Sequence, residues 1–246
     1  TGEISADATK CVATKTPNGY TLNGVKSLVP DAVAADLFVV AAKDAAGISL
    51  FLVEAGAQGA GVRGNTLSDL TSRSGQLYLE GVTVSADALI GQAGKGTAII
   101  DSVLEVANVC IAAGSVAGAE RIFKLTVEYA KQRTQFGTLI GSFQAVKHPL
   151  VELFAELESA KSASNYAAWA ADANSTDKKS AIAVARLTAT EAYRRVTLVC
   201  LQLHGGIGFT WEYDLHLFLK RAKHNQFLFG FPDNYEEIVC HEALGI

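Results

Sequence analysis

The sequence has no methionine, only four prolines and only four cysteines in 246 residues. With no methionine even at residue 1, we expect that residue 1 is not a native start and that sequence precedes it. Cys11, Cys110, Cys200 and Cys240 show no CxxC spacing and lie in apolar stretches. That argues against a disulfide framework or a metal site and for buried free thiols, as in a reducing cytoplasm. Positive charge is not in excess: the formal net charge is −4. The chain therefore has no basic field for nucleic acid, although a local patch could still grip one anionic ligand. The opening "TGEISADATK" has neither a basic n-region nor an apolar h-region, and no uninterrupted apolar run reaches the ~20 residues of a membrane span. What is present, 49% hydrophobic and 19% charged residues, suits a soluble, cytoplasmic globular protein of one large or two small domains.

The hydrophobic period changes near residue 93. From Cys11 to Ile90 short β-rich runs ("KCVATKT", "GYTLNGVKS", "DLFVVAAK", "ISLFLVEA", "GQLYLEGVTV") alternate with "PNG", "KDAAG" and "GAQGAG". This density of strands and turn residues predicts a small antiparallel barrel or sandwich over residues 1–92. From Thr97 to Gln132 there is neither proline nor a turn cluster, and apolar residues keep helical spacing. One long helix is predicted there, a second over 143–174, a third over 176–203, and shorter ones over 214–229 and 233–244. The fold class expected is α+β, with a β domain at 1–92 and a helical bundle at 93–246. Small residues dominate the helices ("VCIAAGSVAGAE", "SAKSASNYAAWAADA", "KKSAIAVARLTATEA"). Such faces let helices approach closely, and helices ~40–50 Å long usually have a partner on their far side.

Two stretches could carry chemistry. In "KQRTQFGTLIGSFQAVKH" (131–148), Arg133 offers a planar fork of donors suited to phosphate. Gln135 and Gln144 add amides, and Phe136 adds a flat face for a ring system. On spacing alone the same residues read rather as a helix C-terminal charge and a core phenylalanine. In "LQLHGGIGFTWE" (201–212), glycines 205, 206 and 208 stand where a helix must stop and bare N–H groups can face an anion. Without a preceding strand they are no Rossmann fingerprint, and a glycine C-cap explains each one singly. His204 reads as a helix-end hydrogen-bonding group, since no Ser, Cys or Asp partner stands at a recognisable spacing.

Taken together and in order, "GYTLNGVKSLV" in a β domain, a long helix ending in "RTQFG", and "LHGGIGF" closing a third helix resemble the acyl-CoA dehydrogenase family of flavoproteins. The two bundle motifs lie about seventy residues apart, and the resemblance covers essentially the whole chain. It implies the family's middle β domain and C-terminal bundle, without its N-terminal helical domain. It also implies that Arg133 and Phe136, with Gln135 between, contact the diphosphate and adenosine of an FAD held mostly by a neighbouring subunit. Phe143 and Gln144 correspond to a further contact pair, and Gln202, Gly205 and Gly206 to a turn holding the adenylate half. Other family features are missing. The aromatic and hydroxyl residues that meet the flavin ring are replaced by Leu28-Val29-Pro30-Asp31. Phe229 and Ala107 occupy the two positions where family members carry the catalytic base, so no catalytic residue is assigned. Glu105 sits two residues from Ala107, which turns it by about 200° on a helix. Asp233, Glu236 and Glu237 read as the N-cap and first turn of the last helix.

The function implied is a subunit of an FAD-dependent acyl-CoA dehydrogenase that lacks its own base. A homologous chain in an α2β2 assembly would supply the base and the ring contacts, as in bacterial steroid side-chain degradation. Acyl-CoA is the implied substrate and electron-transfer flavoprotein a conceivable acceptor; neither nucleic acid nor membrane is expected. Two alternatives stay open: an ordinary homotetrameric dehydrogenase with a displaced carboxylate base, and a flavin-free scaffold.

Overall fold

In the computed structural model, which describes residues 9–245, the alternating stretches become seven strands. They are β1 (Val12–Thr16), β2 (Gly19–Pro30), β3 (Leu37–Asp44), β4 (Gly47–Glu54), β5 (Ala60–Gly64), β6 (Ser74–Ser85) and β7 (Leu89–Ile90). They form one sheet in the order β5-β6-β2-β1-β3-β4-β7. Every other inward residue is buried, as in Phe38, Val40 and Ala42 of β3, which is the period-2 pattern of a sheet with one covered face. The sheet is mixed rather than wholly antiparallel, because β1 meets β3 in parallel at Val12 and Lys43. Tyr20 of β2 and Phe51 of β4 have ring centroids 4.8 Å apart. They belong to strands three places apart in the sheet order. A flat sheet would separate such strands by roughly 14 Å, so the sheet curls on itself around its core. Strand β5 was hidden in the sequence by its glycines, and β7 by its brevity.

Five α-helices follow: α1 (Gly96–Gln132), α2 (Gln144–Asp172), α3 (Lys178–His204), α4 (Leu215–Phe227) and α5 (Pro232–Leu244). Their buried faces are built from alanine and medium aliphatics, among them Ala112, Ala119, Ile122, Leu157, Ala189 and Val196. Gly118 of α1 shows how close the helices come, for a Cβ there would stand 2.6 Å from Cζ of Tyr193 on α3. The molecule divides into two compact units, one ending at Val103 and one beginning at Leu104. The change from strand to helix falls between Ile90 and Gly96.

Two expectations need correction. Cys11 and Cys200 are buried, but Cys110 and Cys240 are exposed, because they fall on outward faces of α1 and α5. Asp233 is not the N-cap of α5; Phe231 is, with Pro232 at the first helical position, and Asn234 Oδ1 accepts the Phe231 N–H at 3.0 Å. Proline fits that slot because its missing N–H would have had no helical partner. No uninterrupted apolar run in the chain reaches ~20 residues, yet α1 is by length and composition long and apolar enough to cross a membrane, with a mean hydropathy of 1.6 over its most apolar window. It earns that value with valine, isoleucine and alanine, broken by Asp101 and Glu105.

Candidate functional site

The two bundle motifs meet at one end of the second unit. Helix α1 runs to Gln132, and the Arg133 N–H continues its ladder to Tyr129 O at 2.8 Å. The Tyr129 ring stacks on His204, the last residue of α3, with centroids 4.2 Å apart and 22° from parallel. The next residue is Gly205, at φ 63°, a left-handed step that glycine takes without steric cost. So "RTQFG" and "LHGG", distant in sequence, are joined through Tyr129 and His204, two residues to which the sequence assigned no role in bringing the motifs together. His204 is buried, and its Nδ1 lies 2.8 Å from Cys200 O. That nitrogen must carry a proton to donate to a carbonyl. Burial holds the imidazole pKa below its usual 6.5, against the smaller opposing pull of that carbonyl. Above that range the ring is neutral and structural.

Beyond Arg133 the chain makes a small hairpin, β8 (Thr134–Gln135) and β9 (Thr138–Leu139), closed by Ile140 N–H to Arg133 O at 2.8 Å. Its two turn residues, Phe136 and Gly137, have φ 54° and 77°. Such two-residue turns favour Asn-Gly, because both central residues are left-handed. Phenylalanine there is strained, and its ring is 94% exposed, with only an edge contact to Phe143 at 6.3 Å. Arg133, Gln135, Phe143, Gln144, Gln202, Gly205 and Gly206 are exposed as well. Among the described residues Arg133 has no ion-pair partner, and a Cβ added at Gly205 or Gly206 would meet open space. Free guanidinium donors, two unobstructed glycines and a ring held out at a cost in strain fit a phosphate-and-ring ligand lying across this end of the bundle.

Two further stretches that the resemblance singled out are strained in the same way. Leu28 sits at φ 54°, inside the register shift between Lys26 and Val29 of β2, and is 67% exposed. Phe229 sits at φ 58°. Among the described residues five non-glycine positions have positive φ, and apart from Asp31 and Asn174, whose side chains tolerate it, they are Leu28, Phe136 and Phe229. Each belongs to one of the stretches that the resemblance assigned to FAD or to the base.

The carboxylates weighed as a base, Glu105, Asp233, Glu236 and Glu237, are all among the described residues. Ala107 has no group to accept a proton. Glu105, one half-turn away, is tied to Lys178 Nζ at 2.9 Å. Asp233 and Glu236 are exposed on α5, and Glu237 lies 3.7 Å from His241 Nε2. Among the described residues no group of three or more His, Cys, Asp or Glu could hold a metal.

The family models for the acyl-CoA dehydrogenase middle domain and C-terminal domain match residues 3–82 and 94–240. The chain is 32% identical over 235 residues to the short-chain specific acyl-CoA dehydrogenase of Megasphaera elsdenii, covering 92% of this chain and 61% of that one. It is 44% identical over 120 residues to acyl-CoA dehydrogenase IpdE2 of Mycobacterium tuberculosis, covering 49% of this chain and 36% of that one. The butyryl-CoA dehydrogenase structure from Megasphaera elsdenii superposes with a TM-score of 0.93 at 29% identity, over 98% of this chain and 65% of that one. The chain thus spans under two thirds of the length of these relatives.

Proposed function

Since the chain belongs to the acyl-CoA dehydrogenase family, whose members are FAD-dependent flavoproteins, we propose that it is a base-lacking subunit of a heteromeric acyl-CoA dehydrogenase. It grips the tail of an FAD whose ring and catalytic carboxylate belong to a homologous subunit. The reading rests on one contrast. The exposed FAD-tail cluster of Arg133, Phe136, Gln202, Gly205 and Gly206 is complete, while the positions of base and ring contact hold Phe229, Ala107 and Leu28.

When bound, FAD supplies the acceptor for the hydride that leaves Cβ of the acyl thioester. Arg133 would hold the diphosphate with its guanidinium, and the N–H groups at Gly205 and Gly206 would serve the adenylate half. Phe136 would offer its ring to the adenosine, and Phe143, Gln135 and Gln144 would complete the cradle. No side chain of this chain takes the α-proton, because phenylalanine and alanine cannot accept one. The assembly is a cytoplasmic α2β2 with electron-transfer flavoprotein as acceptor, and its substrates are bulky acyl-CoA thioesters of the steroid side-chain type. A homotetrameric enzyme would need a carboxylate of its own, and Glu105, two residues from Ala107 in sequence, is paired with Lys178.

The test is purification alone and together with the homologous subunit, followed by a flavin spectrum and an acyl-CoA assay. Expected are a colourless, inactive single chain and a yellow, active complex. Steady turnover by the homogeneous single chain would overturn the reading.

A further inference from the structure

Helix α2 turns Leu153, Leu157, Ala160 and Ala167 into the bundle, and its opposite face carries four large apolar side chains in the open. Val151, Phe154, Tyr166 and Trp169 are 47–68% exposed. They are not loose. Phe154 leans on Phe123 of α1 with centroids 6.1 Å apart. The Tyr166 hydroxyl donates to Asp177 Oδ2 at 2.6 Å, and its ring packs on Trp169 at 5.5 Å. Aromatic side chains already held in place lose little entropy on docking, and several on one exposed face mark a contact surface.

The face matches itself when reversed. Val151 and Trp169 are 18 residues apart, which is five full turns, so they point the same way about 27 Å apart along the axis. An antiparallel second α2, related by a twofold axis at the level of Ala160, sets Val151 of each copy against Trp169 of the other. Phe154 then lies beside Asn165 and Trp169 of the second copy, and Tyr166 beside its Ala155. The charges also complement one another, for Glu158 meets Lys161 of the second copy and Lys147 meets its Asp172. Lys161 already stands 3.8 Å from its own Glu158, so the two copies close a ring of four alternating charges. Parallel pairing would instead set Glu158 on Glu158 and Asp172 on Asp172, which like-charge repulsion disfavours.

We propose that the outward face of α2 is the contact between two copies of this chain, isologous and antiparallel. It joins the two halves of the α2β2 assembly read above and rests on that reading only for its place there. The contact itself needs neither FAD nor the homologous subunit.

The test is site-directed cross-linking of the chain with the exposed Cys110 and Cys240 replaced by serine. Val151→Cys and Trp169→Cys chains are oxidised separately and after co-expression. Disulfide-linked dimers should form several-fold more in the co-expressed sample, because like positions stand about 27 Å apart. Lys147→Cys with Asp172→Cys should behave the same way and leaves the rings intact. Equal cross-linking within one preparation would overturn the antiparallel pairing, and so would none in either co-expressed sample. In sedimentation of the chain alone, Glu158→Lys should weaken the dimer about tenfold and Glu158→Lys with Lys161→Glu should restore it. A wild-type monomer, or a dimer indifferent to Glu158→Lys, would overturn the contact. Steady turnover by the dimer alone would sink the base-lacking reading and leave the contact standing.

Discussion

Tyr129 and His204 stack with their ring centroids 4.2 Å apart, and this contact between the ends of α1 and α3 sets Arg133 and Gly205 at one end of the bundle. Since His204 is buried with its pKa held below the usual 6.5 by desolvation, the unfolded chain binds a proton that the folded one refuses. Stability contributed by the neutral ring is full above about pH 6.5 and falls as pH drops through the lowered folded value. Denaturant unfolding across pH 5–7 should show this slope, and His204→Phe should abolish it. A slope unchanged in the variant would mean that another group causes it.

Under the proposed FAD role, Arg133→Ala removes a charge-assisted contact to phosphate worth about 1.5–3 kcal/mol. FAD retention in the complex should fall roughly ten- to hundred-fold, with little change in the melting temperature of the apo complex. Lys131→Ala, whose ammonium pairs with Glu128 at 2.8 Å, is the control. Full FAD occupancy with a lowered apo melting temperature would make Arg133 a helix-terminal charge.

Glu105→Gln breaks the 2.9 Å pair with Lys178. Because both side chains are about a third exposed, the loss should stay below about 1 kcal/mol. Turnover by the complex should not change. A fall in kcat of a hundredfold or more would identify Glu105 as the base.

Two glycines of α1 separate close packing from helix propensity. Gly114→Ala meets nothing within 4 Å and should stabilise by about 0.5–1 kcal/mol. Gly118→Ala would press on Tyr193, 2.6 Å from the new Cβ, and should destabilise by about 1–3 kcal/mol despite the same gain in propensity. Denaturant midpoints of the two variants check the order.

Val151 and Phe154 stand exposed on α2, two to three turns beyond Gln144. The second copy proposed above would cover them, in an assembly burying more than ~2,000 Å² in all. Replacing both with aspartate should reduce the mass in dilute solution to that of a smaller species. A wild-type monomer at the same concentration would contradict the assembly.

The sequence by itself determined the division into strands and helices and the ends of the helices to within a few residues. It did so because the hydrophobic period changes from 2 to 3.6 and because little interrupts the long helices. It also made both bundle motifs legible, since their residue types and order are local properties of the chain. It could not show β5, where glycine masks the alternation, or the parallel pairing of Val12 with Lys43, which the curl of the sheet decides. Nor could it show that Leu28, Phe136 and Phe229 share left-handed backbone, because nothing in a leucine or phenylalanine signals a conformation its own Cβ resists. Arg186 lies in an alanine-rich helix, and only the arrival of Leu228 and Tyr235 from elsewhere in the chain turns it from a surface cation into a buried one. Those features are set by tertiary packing, which supplies the hydrogen bonds and contacts that outweigh the local preference.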